Sequence, residues 1–210
     1  MSEILSIFPI SNPVYSAKRD FCINEKERKE IDTIIAKGMS QDEGNSSSTN
    51  KFLFDSKLLG LKSFCEKHIA NYVDQVLCPK NKSLEFYITQ SWLNITKQND
   101  HHEIHYHPNS IISGVYYITD NCEILFSSPF VSMSHKTIVI DSDKPNSWNS
   151  TNWNEHISVW ESGTLILFPS YLMHRVPKNI SSSIRISIAF NVFVRGDLGT
   201  INNSTFLRIE

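Results

Sequence analysis

Apolar residues in the first third of the chain recur with the period of a helix. Within residues 24–37 three isoleucines line one face of an otherwise charged segment, which predicts an amphipathic helix. A second helix is predicted over about residues 56–77, with Asp55 as its N-cap. The two apolar stripes comprise Ile31, Ile34 and Ile35 in the first helix, and Leu58, Leu61, Phe64, Cys65, His68, Ile69, Tyr72 and Val76 in the second.

The pattern changes after Pro79, where short runs of aromatic and β-branched residues alternate with turn residues. Such runs predict strands, and several closely spaced strands are typical of a sandwich or barrel. Because two helices precede the strands, we expect an α+β fold with a jelly-roll core. The predicted strands are 84–96, 111–119, 123–127, 136–141, 157–160, 163–168 and 183–194.

The chain's 210 residues suit a single domain, 1–210. Residues 1–80 hold an N-terminal extended segment and the helices, 84–194 form the core, and 195–210 are a C-terminal tail. Three stretches lack a regular pattern. We expect an extended segment at 4–15, a mobile Ser/Asn/Gly-rich loop at 38–50, and a lid or substrate loop at 141–154.

Composition and charge narrow the class of protein. The net charge of −2 produces no overall field that would attract nucleic acid or an anionic membrane, so a nucleic-acid partner is not expected. No apolar run approaches the length of a membrane span. The four scattered cysteines form no C-x-x-C pair, and residues 1–15 carry no basic leader region. We therefore expect free thiols and a cytoplasmic location.

A histidine-rich segment is the first candidate for chemistry, since four of the eight histidines lie within residues 101–107. In an extended strand, residues i and i+2 point to the same face, so His101, Glu103, His105 and His107 would share one side. Neutral imidazole is the commonest protein ligand for mid-series divalent metals. The segment therefore indicates a metal site.

A second candidate lies downstream, where His174 follows a buried strand and a turn. Eleven residues later, Arg185 interrupts an otherwise apolar strand. A buried guanidinium needs a counter-anion, and no acidic residue is an obvious neighbour. A ligand carboxylate would serve, with a second hydrogen bond from Ser187 on the same strand face. The alternative is a structural ion pair, with Asp120 or Glu161 as the partner.

Taken together, these fragments resemble the 2-oxoglutarate- and Fe(II)-dependent oxygenases, within them a bacterial and phage group related to prolyl hydroxylases. The resemblance covers about residues 84–193 and rests on the order and spacing of the motifs. These are W-x-N, then H-x-H-P-x-S-x-x-S-G-V-Y-Y, then F-P-S-x-L-x-H, and finally R-x-S-x-x-F-N. The resemblance implies a double-stranded β-helix that uses Fe(II), 2-oxoglutarate and O2.

Carried over residue by residue, the resemblance makes His105 the first metal ligand and His174 the distal one. Arg185 and Ser187 match the residues that hold the distal carboxylate of 2-oxoglutarate, and Tyr117 matches a tyrosine that assists them. The last match, Asn94, would face the oxoacid end of the cosubstrate.

The chain departs from the family pattern at one ligand. The family carries H-x-D/E, but His107 stands where the acid is expected. Three histidines would leave more positive charge on the metal. Alternatively, Glu103 supplies the carboxylate together with His101. We favour His105 and His107, because the P-x-S-x-x-S-G-V-Y-Y run that follows places them in register. A histidine at this position also argues against halogenase chemistry.

The leading functional hypothesis is a hydroxylase that couples decarboxylation of 2-oxoglutarate to succinate with oxidation of a substrate. The substrate is open, with a protein side chain such as proline as the first candidate, and the sequence does not indicate an oligomeric state. The alternative is a cupin-like metal enzyme, or a sugar or small-molecule binding module, that does not use 2-oxoglutarate. Cupins usually carry a glutamate where this chain has Ile111 and Ile112.

Overall fold

The computed structural model describes residues 12–41, 44–127, 155–202 and 204–210. The predicted strand 136–141, the predicted loop 141–154 and most of the extended segment 4–15 lie outside the described residues.

Twelve strands and two α-helices make up the described part of the chain. The helical elements are α1 (Glu25–Lys37), a 3-10 turn (Leu53–Asp55), α2 (Leu59–Tyr72) and a π-helical turn (Val73–Leu77). The strands are β1 (Tyr15–Lys18), β2 (Met39–Gln41), β3 (Ser46–Ser48), β4 (Glu85–Thr96), β5 (His102–His105), β6 (Ile112–Tyr117), β7 (Cys122–Ser127), β8 (Glu155–Trp160), β9 (Thr164–Pro169), β10 (His174–Val176), β11 (Arg185–Leu198) and β12 (Leu207–Ile209).

The two helices begin differently. Asn24 caps α1, with its side chain accepting from the backbone N–H of Glu27 while the Glu27 carboxylate accepts from the N–H of Asn24. The predicted cap of the second helix is wrong. Asp55 ends the preceding 3-10 turn, and the residue before α2 is Leu58, whose backbone N–H donates to the Glu30 carboxylate instead.

The predicted mobile loop at 38–50 is partly a hairpin. Strand β2 pairs with β3, and β3 in turn pairs with β4. Ser46, Ser47 and Ser48 are buried, and they continue the large sheet between β4 and β2. The sequence did not predict this strand, because the segment has the composition of a loop and no alternation of apolar and polar residues.

The strands form two antiparallel sheets. The large sheet has the order β1-β9-β6-β11-β4-β3-β2, with β12 paired to β11, and the small sheet has the order β5-β10-β7-β8. Strand β11 runs to Leu198 and pairs with β12, so the predicted C-terminal tail is part of the large sheet. No helix among the described residues is long and apolar enough to cross a membrane.

The large sheet has a different partner on each face. Ile188, Phe190 and Val192 of β11 pack in a core shared with both helices, whereas Phe168 of β9 and Phe126 of β7 belong to a second core shared with the small sheet. Because side chains alternate along a strand, the residues between the apolar positions of β11 face the small sheet. A pocket lined by both sheets lies on that face.

Candidate metal and cosubstrate site

Side chains of three neighbouring strands line one pocket in rows. Asn94 on β4 lies opposite Ser187 on β11, and Ser187 lies opposite Tyr117 on β6. One same-face step along the sheet, Thr96 lies opposite Arg185. All five side chains line the same pocket between the sheets. The large sheet therefore builds a polar end of the pocket from residues that are far apart in sequence.

Three imidazoles meet at another part of this pocket. Pairing of β5 with β10 sets His105 opposite His174, and the backbone N–H of His107 donates to the carbonyl of Ser170 at 3.0 Å. One nitrogen from each of the three histidines lies within 4.8 Å of the other two. This arrangement can hold one metal ion, since His nitrogen is a common ligand for Fe, Zn, Cu and Ni.

Hydrogen bonds orient each of the three rings. The Nδ1 atom of His105 lies 2.7 Å from the carbonyl oxygen of Glu103, and that of His174 lies 2.9 Å from the carbonyl oxygen of Leu172. The Nδ1 atom of His107 lies 2.6 Å from Asn191 Oδ1. Because these oxygens only accept, each Nδ1 carries the hydrogen and each Nε2 keeps a free lone pair. This pattern is usual for metal-ligating histidines.

Burial keeps two of the imidazoles neutral. Removal from water, together with the smaller effect of the nearby His105, lowers the pKa of His174 to about 3. Removal from water also lowers the pKa of His107. Only a neutral imidazole has a lone pair to give to a metal, so these two rings need not lose a proton before binding one. Trp92 stacks beside His107, with the ring centroids 5.9 Å apart and the planes inclined by 23°.

The alternative ligand pair lies elsewhere. Glu103 is largely exposed, and its carboxylate contacts His101 Nε2 at 2.8 Å as a surface pair. Among the described residues, neither of them belongs to the group that could hold a metal ion. The structure thus brings together His105, His107 and His174 and leaves the H-x-E pair apart from them.

Arg185 already has an anionic neighbour, so the interpretation that no acidic residue lies nearby is wrong. Its NH2 group donates to Glu123 Oε2 at 2.9 Å, and its NH1 group donates to the carbonyl of Pro177 at 3.1 Å. Glu123 lies on β7 of the small sheet, 62 residues away in sequence, which is why sequence reasoning did not find it. Neither Asp120 nor Glu161, the partners considered from the sequence, makes this ion pair.

The hydroxyl of Tyr117 is buried and has no hydrogen-bond partner among the described residues. Burial holds the pKa of this phenol well above its usual value, so the hydroxyl stays protonated and can donate. A buried polar group is normally paired. An unpaired donor beside Ser187 and Arg185 fits a pocket that receives a carboxylate-bearing ligand.

Comparison with known proteins agrees with this geometry. Residues 90–191 match a family model described as "Putative 2OG-Fe(II) oxygenase". This part of the chain is similar to the 2-oxoglutarate- and Fe(II)-dependent oxygenases. Fe(II) and 2-oxoglutarate are the cofactors of the family, and His105, His107 and His174 could hold the metal. No curated protein matches the chain.

Solved structures of oxygenases share the fold. The carbocyclase SnoK from nogalamycin biosynthesis superposes with a TM-score of 0.60 at 12% identity, over 89% of this chain and 81% of that one. HygX from Streptomyces hygroscopicus, solved with nickel and 2-oxoglutarate bound, gives 0.56 at 10% identity, over 86% and 82%. A prolyl-4-hydroxylase of Pseudomonas putida gives 0.55 at 11% identity, over 86% and 93%.

Sequence reasoning missed three residues of the candidate site. Asn191 ends the R-x-S-x-x-F-N motif, so its position was visible but its hydrogen bond to His107 was not. The contact of Glu123 with Arg185 could be found only by knowing how the small sheet packs on the large one. Asn45 lines the pocket with its buried Oδ1 unpaired among the described residues, and it lies in a segment that looked like a loop.

Proposed function

We propose that the protein is a 2-oxoglutarate-dependent hydroxylase whose Fe(II) is held by His105, His107 and His174. Arg185 and Ser187 bind the distal carboxylate of the cosubstrate, with Tyr117 beside them. The resemblance implies that Asn94 faces the oxoacid end, but Asn94 lies opposite Ser187, so we propose that it borders the distal carboxylate instead. The observation that carries this proposal is a single pocket with three oriented imidazoles in one part and a guanidinium in another.

The residues between these two parts suit a small diacid. Along β11, Ala189 and Ser187 lie on the pocket face between Asn191, which holds His107, and Arg185. Both are small side chains, so they leave room for a ligand. Guanidinium binds a carboxylate through parallel hydrogen bonds, and hydroxyl groups can add further donors.

The protein's own part in the reaction is to bind, orient and exclude water. When Fe(II) is bound, it supplies the redox chemistry that couples O2 to decarboxylation of 2-oxoglutarate to succinate and to insertion of oxygen into a substrate. The hydrogen bonds that the three Nδ1 atoms donate fix the ligand geometry before metal arrives. Tyr117 contributes a fixed donor at the polar end of the pocket.

The substrate that we propose is a protein side chain, with proline as the first candidate. A groove beside the imidazoles is open to solvent, and the exposed rings of Tyr106 and Tyr171 lie along it. Among the described residues no Asp, Glu, Lys or Arg lines this groove. An uncharged aromatic groove suits an extended, proline-containing segment, whose rigid rings pack on aromatic faces. The four cysteines of the protein are free, which fits a reducing compartment, and we propose that the protein is located in the cytoplasm.

Two observations favour a different candidate function. Arg185 has its own anion in Glu123, and the candidate metal ligands are three imidazoles rather than two with a carboxylate. A cupin-like metal enzyme that does not use 2-oxoglutarate would account for both features. The two candidates differ in whether the metal-loaded protein binds 2-oxoglutarate.

The proposed function is tested by turnover. Protein is loaded with Fe(II) without oxygen, given 2-oxoglutarate, and assayed for succinate after oxygen is admitted. We expect oxygen-dependent succinate, strongly reduced by His174→Ala and by Arg185→Ala. Arg175→Ala is the matched control, since this half-exposed arginine pairs with Glu155 at the surface. Full turnover in both pocket variants would contradict the assignment.

The substrate proposal is tested separately. A proline-containing peptide, the free amino acid and a proline-free peptide of the same length are incubated with the active system. We expect gain of one oxygen atom, measured by mass spectrometry, in the proline-containing peptide alone. Oxidation of the free amino acid, with both peptides unchanged, would assign the protein to small-molecule substrates.

A further inference from the structure

The ion pair between Arg185 and Glu123 joins the two sheets inside the pocket. The guanidinium comes from the large sheet and the carboxylate from the small one, with 2.9 Å between NH2 and Oε2. Both residues line the pocket that holds the imidazoles. The side chain of Arg185 is 12% exposed and that of Glu123 is 38% exposed, so only the carboxylate has ready access to water.

From this arrangement we propose that Glu123 is a specificity-determining residue that competes with the dicarboxylate cosubstrate for Arg185. This inference rests on the proposed function. In the ligand-free protein Glu123 neutralises the guanidinium. When 2-oxoglutarate binds, its distal carboxylate takes the place of Glu123 at Arg185, and Glu123 turns toward solvent.

Charge is the first argument. Two carboxylates that share one guanidinium repel each other, and a partly buried pocket screens that repulsion less than bulk water does. Cosubstrate binding therefore has to overcome either the repulsion or the loss of the existing ion pair. In both cases the negative charge of Glu123 weakens the binding of a dicarboxylate.

The second argument is that Arg185 does not depend on Glu123 for its position. Its NH1 group is held independently by the carbonyl oxygen of Pro177 at 3.1 Å. A backbone carbonyl remains in place when the Glu123 side chain is changed. The guanidinium therefore stays in the pocket, ready for a ligand, after the carboxylate is removed.

A competing carboxylate also affects selectivity. An oxoacid that lacks the distal carboxylate does not need Arg185, so Glu123 leaves its binding unchanged. Only ligands that displace Glu123 are disfavoured. The protein is thereby tuned to respond to 2-oxoglutarate at higher concentrations than a pocket with an unpaired arginine would require.

The test measures cosubstrate binding rather than turnover. Protein loaded with Co(II), without oxygen, is titrated with 2-oxoglutarate by calorimetry, and with 2-oxobutyrate, which has the same oxoacid end but no distal carboxylate. We expect Glu123→Gln to bind 2-oxoglutarate about tenfold more tightly than the parent protein, from loss of one charge close to the ligand. Binding of 2-oxobutyrate should not change.

Two further variants make the test specific. Glu155→Gln removes the same charge from the small sheet at the surface and should leave both affinities unchanged. In an Arg185→Gln background, Glu123→Gln should give no gain, because the two residues act through one interaction. A tenfold gain that persists without Arg185 would overturn the proposal.

The outcomes separate this inference from the proposed function. If the parent protein binds no 2-oxoglutarate while Glu123→Gln also binds none, the proposed function fails. If the parent binds it and Glu123→Gln binds equally or more weakly, Glu123 serves to position Arg185, and only the competition proposal is overturned.

Discussion

The Nδ1 atom of His107 donates to Asn191 Oδ1 at 2.6 Å, so a side-chain hydrogen bond orients this ring of the imidazole group. His105 and His174 donate instead to backbone carbonyls. A backbone partner cannot be removed by substitution, whereas a side-chain partner can. The contribution of ring orientation to metal binding can therefore be measured at His107 alone.

We expect Asn191→Leu to lower the affinity for Co(II) or Zn(II) by roughly 10- to 100-fold, the usual cost of losing a hydrogen-bond partner of a ligating histidine. Asn191→Asp keeps an acceptor at the same place and should retain most of the affinity. Competitive metal titration against a chelator gives both values. Equal affinities for the parent and the leucine variant would show that the hydrogen bond does not orient the ligand.

The stability of the metal-free protein should fall as the pH is lowered from 7. Burial lowers the pKa of His174 from 6.5 to about 3, so between these values the unfolded chain binds a proton that the folded chain does not. The free energy of unfolding then decreases by up to about 1.4 kcal/mol per pH unit as the pH falls below 6.5. Urea unfolding at pH 7 and at pH 5 measures it.

The control for this pH effect is His174→Leu, which has no imidazole to titrate. Its free energy of unfolding should change less between pH 7 and pH 5 than that of the parent protein. Equal changes in the two proteins would mean that His174 is readily protonated in the folded state.

A buried ion pair should anchor α1 to the N-terminal segment. Arg19 and Glu27 make two hydrogen bonds, of 2.9 and 3.0 Å, and their side chains are 10% and 4% exposed. Glu27→Ala leaves the guanidinium without its partner and removes half of the helix cap, so we expect about 3–5 kcal/mol of destabilisation. Asp74→Ala, which breaks the exposed pair with Lys82, should cost less than about 1 kcal/mol.

Thermal or denaturant unfolding of these two variants measures the difference. A loss of similar size in both would show that the Arg19–Glu27 pair gains nothing from being buried.

The four thiols should differ in reactivity. Cys78 is exposed, whereas Cys65 and Cys122 are buried, and burial raises the pKa of both buried thiols. The thiolate is the reactive form, so iodoacetamide should modify Cys78 first and should leave Cys65 unmodified until the protein unfolds. Peptide mass spectrometry of native and urea-treated samples reports the order. Early modification of Cys65 in native protein would mean that α2 opens readily.

The sequence was sufficient to predict the structure where it depends on the spacing of residues within one strand or one helix. Apolar residues at every second position of β11 predict that Arg185 and Ser187 share a face, and both line the pocket. The helical period in α1 and its end at Lys37 were predicted for the same reason, because local spacing carries the information.

The sequence was not sufficient where two distant strands must meet. The contact of Glu123 with Arg185 depends on how the two sheets pack. The pairing of His105 with His174 depends on β5 lying beside β10, so the resemblance to the family, and not the residue pattern, brought these two histidines together. The buried serines of β3 form a further case. Ser48 is stabilised there by a hydrogen bond from the backbone N–H of Leu93, which composition does not reveal.

Because Trp92 stacks on His107, its fluorescence should report the binding of a metal ion at this site. Indole emission is quenched by an open-shell ion a few ångströms away, and this indole lies against one of the rings that would bind the ion. Loading with Co(II) or Ni(II) should therefore lower the tryptophan fluorescence intensity, while loading with Zn(II), which has a filled d shell, should leave it nearly unchanged. Trp92→Phe would keep an aromatic ring beside His107 and should remove this metal-dependent decrease in fluorescence.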